Sequence, residues 1–274
     1  KLEKDRFELI RENMHRDYKN ALKELPYNYA LTKTALFLFH RKFETEDYVK
    51  IGDSITFDMF TDFVKAWLKS VKLECFLHGN ITREEALVLA SKIEADICTG
   101  KSTILPNQEA DDRVMQLNQG CDYIMQVKHP NEADTNSSIE VVYQVGLNTL
   151  RDAVLVNLLV QVVSQPFYGE LRTNQQIGYI VLVRGRLDHN VMSISTIMQS
   201  TTFDPVQMLE RNDDFFEAYY ENELKKMTDE EFNTHVQSQL ETLLEKDKQM
   251  STETLRDWGE INKKQYKFDR RECK

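Results

Sequence analysis

The chain has 274 residues, a formal net charge of −10 and 41% hydrophobic residues. This length fits one large or two medium-sized domains, and the composition is that of an ordinary globular protein. The negative charge argues against a nucleic-acid partner, because such binding needs a basic face. Apolar runs are too short for a transmembrane helix, so the sequence predicts no membrane partner.

The number and spacing of the cysteines indicate the cellular compartment. The four cysteines show no Cys-x-x-Cys spacing; they are Cys75, Cys98, Cys121 and Cys273. This pattern favours neither a disulfide framework nor a zinc ribbon, and it predicts a reducing, cytoplasmic location. Lys1 stands inside a predicted amphipathic helix that has no N-cap, so we also expect the chain to be part of a longer protein.

The first part of the chain is predicted to be mainly helical. Apolar residues recur at spacings of three and four in three segments, namely 3–25, 29–40 and 57–69. A short strand is predicted over 73–77. A capping box of Thr82 and Glu85 then predicts the start of another helix.

A polar stretch at 101–112, with Pro106 inside it, is the best candidate for a linker. Beyond it, runs of β-forming residues predict five strands, and the most apolar segment predicts a buried helix at 150–164. The predicted strands are 113–117, 123–127, 139–145, 179–183 and 191–198. Three further helices are predicted to follow, the second capped by Thr228 with Glu231 and the third by Ser251. Adjacent strand pairs favour antiparallel pairing and an α+β fold.

Familiar catalytic and metal motifs are missing from the sequence. The segment from His129 to Ala133 has Ala133 where the inverted zinc signature His-x-x-Glu-His needs its second histidine, and Pro130 there favours a turn. No Gly-x-Ser-x-Gly elbow, P-loop or GxGxxG occurs. We therefore predict no metal ligands in this chain.

The stretch 165–183 is the strongest candidate site. It predicts a turn and a short polar helix that carries Arg172, followed by a buried strand that opens at Tyr179. Gly178 lies at the joint, where we expect a positive φ. A guanidinium and a phenol at one sheet end can hold a peptide carbonyl. The alternative is structural: Arg172 pairs with a carboxylate and Tyr179 fills the core.

A resemblance to a known family strengthens the first interpretation. The stretch from Leu171 to Val181 reads Leu-Arg-Thr-x-x-Gln-Ile-Gly-Tyr-Ile-Val, and it resembles a signature in the C-terminal half of the insulinase family (insulin-degrading enzyme-like, pitrilysin-type inverted-zincin metallopeptidases). Other landmarks follow in the same order along the chain; they are Asp5–Asn13, Leu77–Thr82, Trp258–Ile261 and Gln265–Arg270.

The resemblance implies a fold, and it implies different roles for the two halves of the protein. It implies two successive insulinase-type α+β domains, each an antiparallel sheet with helices packed on it: residues 1–104 as the C-terminal portion of a third domain, incomplete at its N-terminus, and 105–274 as most of a fourth. It further implies that zinc is bound by the N-terminal half of the same protein, which is then a partner of this chain. Peptides would be degraded in an enclosed chamber between the halves, and a homodimer is left open.

The resemblance also assigns roles to residues. Tyr179 matches a tyrosine that donates to the scissile carbonyl, and Arg172 matches an arginine that contacts the substrate backbone. Tyr168 stands where the family has a substrate-lining phenylalanine, and Gln175 replaces an acidic residue. The predicted function is the non-metal half of a zinc metalloendopeptidase, inactive when isolated. The alternatives are an inactive peptide-binding or scaffold subunit and an unrelated helical interaction domain.

Overall fold

The computed structural model describes residues 2–109 and 112–264, together with 266 and 268. Several residues considered above lie outside this part of the chain: Lys1, Ala110, Asp111, Gln265, Asp269, Arg270 and Cys273. In the described part, no helix is both long and apolar enough to cross a bilayer.

Runs of helices and adjacent strands form an α+β arrangement, as predicted. In the described residues the helices are α1 (Lys4–Ala21), α2 (Pro26–Leu38), α3 (Thr45–Gly52), α4 (Phe57–Trp67), α5 (Arg83–Cys98), α6 (Leu150–Phe167), α7 (Pro205–Asn222), α8 (Asp229–Leu244) and α9 (Met250–Asn262). The strands there are β1 (Ser70–Val71), β2 (Ser102–Thr103), β3 (Ser137–Leu147), β4 (Ile180–Asp188) and β5 (Val191–Ser200).

The chain divides into two compact units. The first contains the described residues of Lys1–Arg16, Val49–Asp111 and Glu245–Lys274, and the second those of Asp17–Tyr48 and Asp112–Leu244. The predicted boundary at 104/105 divides two family domains rather than two compact units, and it stays a prediction.

In the first unit, aromatic packing and capping define the helices. The Phe7 ring of α1 lies 5.2 Å from that of Phe60 in α4, which confirms the apolar stripes predicted for both helices. The predicted capping box is present at α5, where Thr82 and Glu85 satisfy each other's backbone N–H groups. The Ser251 cap is wrong: Gln249 is the N-cap of α9, and its side chain makes no capping hydrogen bond.

The strand predicted at 73–77 is also wrong. Pairing in this unit ends at Val71, since β1 and β2 are parallel strands of two residues each. A run of β-forming residues becomes a strand only where another strand satisfies its backbone groups. The segment 73–77 has no such strand in the described residues.

The second unit is built on a three-stranded antiparallel sheet of order β3-β5-β4. Its central strand, β5, is buried from Met192 onward, and the helices α6 and α7 pack on one face. The core there includes Phe167, Met198 and Met208, each fully buried. The helix α2 contacts β3 and β5.

Two predicted strands of the second unit, 113–117 and 123–127, are absent. Val114 forms only an isolated bridge with Phe39. The Gln144 side chain accepts a hydrogen bond from the Leu117 N–H at 2.9 Å and donates to the Met115 carbonyl at 3.0 Å. An amide side chain thus takes the place of a neighbouring strand, and Ile124 remains 83% exposed.

Candidate functional site

The candidate site begins where α6 ends in a wider turn. The residues Tyr168–Asn174 form a π-helical turn, a feature that is frequent at functional sites. The Gln175 N–H donates to the Glu170 carbonyl at 2.9 Å, and the Ile177 N–H donates to the Leu171 carbonyl at 3.0 Å. Because Leu171 and Ile177 are almost completely buried, they fix the segment that carries Arg172 between them.

The glycine at the joint is required for a different reason from the predicted one. Gly178 does not take a positive φ; the left-handed residue of this joint is Gln176, with φ of 52°. A Cβ added to Gly178 would lie 1.9 Å from the carbonyl oxygen of Gln199 on β5. The position therefore needs glycine because two backbones approach closely.

Tyr179 is presented to solvent. The strand β4 begins one residue later, at Ile180, and Tyr179 is 82% exposed. The structural alternative, in which this tyrosine fills the core, is therefore wrong. Its neighbours Ile177 and Val181 are buried, so the exposed ring has anchored residues on both sides.

Arg172 lies beside Tyr179. Its guanidinium carbon is 5.3 Å from the centroid of the Tyr179 ring, within the range of a cation–π contact. Its Nε is buried and has no hydrogen-bond partner. In the described part of the chain no carboxylate pairs with Arg172, so the other structural alternative also fails.

The acidic residue nearest in sequence is already engaged. The Glu170 carboxylate accepts hydrogen bonds from Gln175 Nε2 at 2.9 Å and Asn174 Nδ2 at 2.7 Å, which lower the pKa of Glu170. Gln175 in turn accepts from Arg211 Nη1 at 2.6 Å. This local network holds the turn, and in the described residues it leaves Arg172 without a carboxylate partner.

Tyr168, the predicted pocket residue, is the first residue of the π-helical turn and is 46% exposed. Among the described residues it makes no ring contact or hydrogen bond with Arg172 or Tyr179. The structure thus brings two of the three predicted site residues together. The role of Tyr168 remains a prediction.

Comparison with known proteins identifies the family. Residues 158–258 match the family model described as PQQ synthase PqqF-like, C-terminal lobe domain 4. Over 271 residues, or 98% of its length, the chain is 30% identical to insulin-degrading enzyme of Homo sapiens. It is 27% identical over 269 residues to a nardilysin-like protein of Arabidopsis thaliana. The chain belongs to the insulinase family.

This insulinase-family chain spans 26% of the length of each of those two relatives. A crystal structure of pitrilysin matches 99% of the chain with a TM-score of 0.79, at 22% sequence identity and over 28% of that structure. The likeness shows that the fold is shared. It confirms the α+β insulinase-type architecture predicted from the sequence.

The described residues of the insulinase-family chain offer no cluster of three or more His, Cys, Asp or Glu side chains that could hold a metal ion. His129 lies outside the helices and strands, and its Nδ1 accepts a hydrogen bond from the Asn131 N–H at 3.2 Å.

Sequence reasoning missed one polar cluster. It consists of Glu140 on β3, Arg184, Arg186 and Asp188 on β4, and Ser195 on β5. The signal was the alternation of charged residues at 184, 186 and 188, which places them on one face of a strand. That signal identifies the face, but only the strand register brings Glu140 to it.

Proposed function

We propose that the chain is the part of a zinc metalloendopeptidase that contacts the peptide substrate and holds no metal itself. The supporting observation is the placement of the Arg172 guanidinium over the exposed Tyr179 ring. The buried Nε of Arg172 has no hydrogen-bond partner, which costs free energy, and the exposed Tyr179 ring buries little apolar surface, so a structural role alone does not account for the pair. They suit a peptide backbone that presents carbonyl oxygens.

Tyr179 would donate its hydroxyl hydrogen to the scissile carbonyl oxygen as that oxygen gains charge. A donor of this kind stabilises the transition state more than the ground state. The close approach of Gly178 to Gln199 fixes the backbone that carries the tyrosine, so little reorganisation is needed.

Arg172 would position the substrate by donating to backbone carbonyls beside the scissile bond. Its planar fork matches oxygens that lie in one plane, which a lysine cannot do. Tyr168 would line the pocket for a substrate side chain, and its hydroxyl would alter the preference relative to phenylalanine.

We assign zinc to the N-terminal half of the same protein, the partner with which this half would enclose a chamber. Zinc in such enzymes activates a water molecule and polarises a carbonyl. The residues of this chain would bind and orient the peptide and stabilise its oxyanion. The free thiols of Cys75, Cys98 and Cys121 fit the cytoplasmic location that we propose.

The test compares the full-length protein with its Tyr179→Phe variant on a fluorogenic peptide, with and without a zinc chelator. We expect the chelator to abolish cleavage and the variant to lose about 10²-fold in kcat. Tyr220→Phe is a matched control, because Tyr220 is also exposed and carries a cation, Lys225 Nζ, 4.8 Å from its ring centroid. It should cleave like the wild type.

The same assay decides between the candidate functions. A wild-type protein that binds peptides without cleaving them would identify an inactive peptide-binding or scaffold subunit. Chelator-sensitive cleavage that is unaffected by Tyr179→Phe would remove Tyr179 from the chemistry. Light scattering of the same full-length sample, with and without peptide, would show whether a homodimer forms.

A further inference from the structure

The polar cluster of the second unit borders a cavity. Side chains alternate along β4, so Arg184, Arg186 and Asp188 share one face of the sheet. A cavity of about 370 Å³, wide open to solvent, is lined by residues of this part of β4 and by residues of α2 and its end. Its lining consists of Leu31, Ala35, Phe39, Arg184, Gly185, Arg186 and Asp188.

One of the two arginines is neutralised by protein carboxylates. The Arg186 side chain is only 10% exposed and pairs with both Glu140 and Asp188. The Glu140 side chain, which is 0% exposed, accepts from Arg186 Nη1 at 2.9 Å and from Ser195 Oγ at 2.7 Å through the same oxygen, Oε1. A buried cation with two carboxylate partners has little charge left for a ligand.

The other arginine is not neutralised in the same way. Arg184 Nη2 reaches the already shared Oε1 of Glu140 only at 3.4 Å, longer than a normal N–H···O hydrogen bond. Its Nε is buried without a partner, although the side chain as a whole is 42% exposed. A guanidinium has five N–H donors, so Arg184 keeps unused donors at the cavity wall.

The opposite wall is apolar. Leu31, Ala35 and Phe39 come from one side of α2 and its end, and Ala35 is 7% exposed. Lys42 Nζ lies 5.5 Å from the Phe39 ring centroid, which adds a second cation close to this wall. The cavity thus combines an under-neutralised guanidinium, a nearby ammonium and an aliphatic and aromatic surface, beside the Asp188 carboxylate that pairs with Arg186.

From this combination we propose that the cavity binds a small carboxylate with an apolar substituent, held by Arg184 and packed against Leu31, Ala35 and Phe39. The carboxylate takes the donors that Glu140 leaves unsatisfied, and the apolar group covers the α2 wall. Two sources share this chemistry, a free N-acyl amino acid and the C-terminal residue of a peptide. The proposal concerns binding and does not depend on peptidase activity.

The experiment measures binding to the full-length protein by isothermal titration calorimetry, with a zinc chelator present. The probes are N-acetyl-leucine, N-acetyl-Ala-Ala-Leu and the C-terminal amide of each. We expect both acids to bind at least about tenfold more tightly than their amides, since the amide removes the charge that pairs with the guanidinium. A preference for the tripeptide acid identifies a peptide end as the ligand, and equal affinities identify the free acid.

Variants locate the site. Arg184→Gln should abolish the difference between acid and amide, and Arg184→Lys should retain part of it because the charge stays but the fork is lost. Arg151→Gln removes an exposed arginine elsewhere in the unit and should bind like the wild type. Equal affinity of the wild type for acid and amide would overturn the proposal, as would full binding by a folded Arg184→Gln protein. If that variant fails to fold, Arg184→Lys decides, because an undiminished acid preference in Arg184→Lys would overturn the proposal.

Discussion

The backbones of Gly178 and Gln199 approach so closely that no side chain fits between them. The missing Cβ of Gly178 would lie 1.9 Å from the Gln199 carbonyl oxygen and 3.4 Å from the Ser200 Cα. Gln199 pairs with Ile180 at the first position of β4, so the contact lies at the start of the β4–β5 ladder. The orientation of Tyr179, between Gly178 and Ile180, therefore depends on this contact.

Gly178→Ala should both destabilise the fold and reduce cleavage. A methyl group at this position must displace the backbone of β5, and overpacking of this kind costs about 1–3 kcal/mol. We expect the upper part of that range, because the obstacle is backbone rather than a movable side chain. Urea unfolding of the purified protein measures the cost, and peptide cleavage measures the displacement of Tyr179.

Gly169→Ala is the matched control for that variant. Gly169 belongs to the same segment, and an added Cβ would have nothing within 4 Å. Its free energy of unfolding should stay within about 0.5 kcal/mol of the wild type. If the two alanine variants were equally stable, the close approach at Gly178 would not be what this joint requires.

Replacing Arg172 should separate stability from activity. Its Nε is buried without a partner, which costs free energy, while its cation–π contact with Tyr179 returns about 0.5–1 kcal/mol. We therefore expect the free energy of unfolding of Arg172→Met to equal that of the wild type or to exceed it by about 1 kcal/mol. Cleavage should nevertheless fall, mainly in kcat/KM, because substrate positioning is lost.

Loss of stability and activity together in Arg172→Met would contradict this expectation and indicate a structural arginine. Arg83→Met is the control, since Arg83 is exposed on α5 in the first unit. Its stability and its cleavage rate should both match those of the wild type.

The sequence predicted best those elements that are decided by local interactions. The stripes of α1 and α4 and the Thr82 and Thr228 capping boxes are confirmed, because each depends on residues within one or two turns. The eight-residue helix α3 was missed, since its few apolar positions define no period.

Long-range contacts account for what the sequence could not predict. Gly178 was expected at the right joint but for the wrong reason, because the Gln199 carbonyl is distant in sequence. The segment 123–127 has the composition of a strand, yet forms none in the described structure. The placement of Arg172 and Tyr179 at one end of a sheet was predicted from the sequence, but chemistry alone favoured the structural alternative, and only the family resemblance favoured a functional role.

A buried hydrogen-bond chain should make Asn212 important for stability. Asn212 is fully buried; its Oδ1 accepts from Thr196 Oγ1 at 2.8 Å and its Nδ2 donates to the Tyr143 hydroxyl at 2.7 Å. Asn212→Leu leaves the buried Thr196 hydroxyl without a partner, so we expect a loss of about 2–4 kcal/mol in chemical unfolding.

A second substitution tests the cause of that loss. The double variant Asn212→Leu, Thr196→Val removes both members of the buried Asn212–Thr196 hydrogen bond. It should recover at least about 1 kcal/mol of stability relative to Asn212→Leu alone. Additive losses in the double variant would show that packing, not the unsatisfied hydroxyl, sets the cost. Asn233→Leu, at an exposed position of α8, should change stability little.

Glu109 should give the first unit a distinct response to acid. Hydrogen bonds from Lys264 and Lys72, in that order of strength, lower the pKa of Glu109 to about 2, below its usual value of about 4.3. A carboxyl whose pKa is lower in the folded state stabilises that state above the unfolded pKa, and the stabilisation is lost as the pH falls towards the folded pKa. As the pH falls from about 4.5 to about 2, the first unit should therefore lose stability.

Trp67 and Trp258, the two tryptophans of the chain, both belong to this unit and report its unfolding by fluorescence. We expect Glu109→Gln to flatten the pH dependence and Glu94→Gln, an exposed glutamate of α5, to preserve it. High salt should weaken the wild-type dependence, because the ion pairs lie near the surface. A Glu109→Gln protein with an unchanged acid transition would show that these two lysines do not stabilise the unit through Glu109.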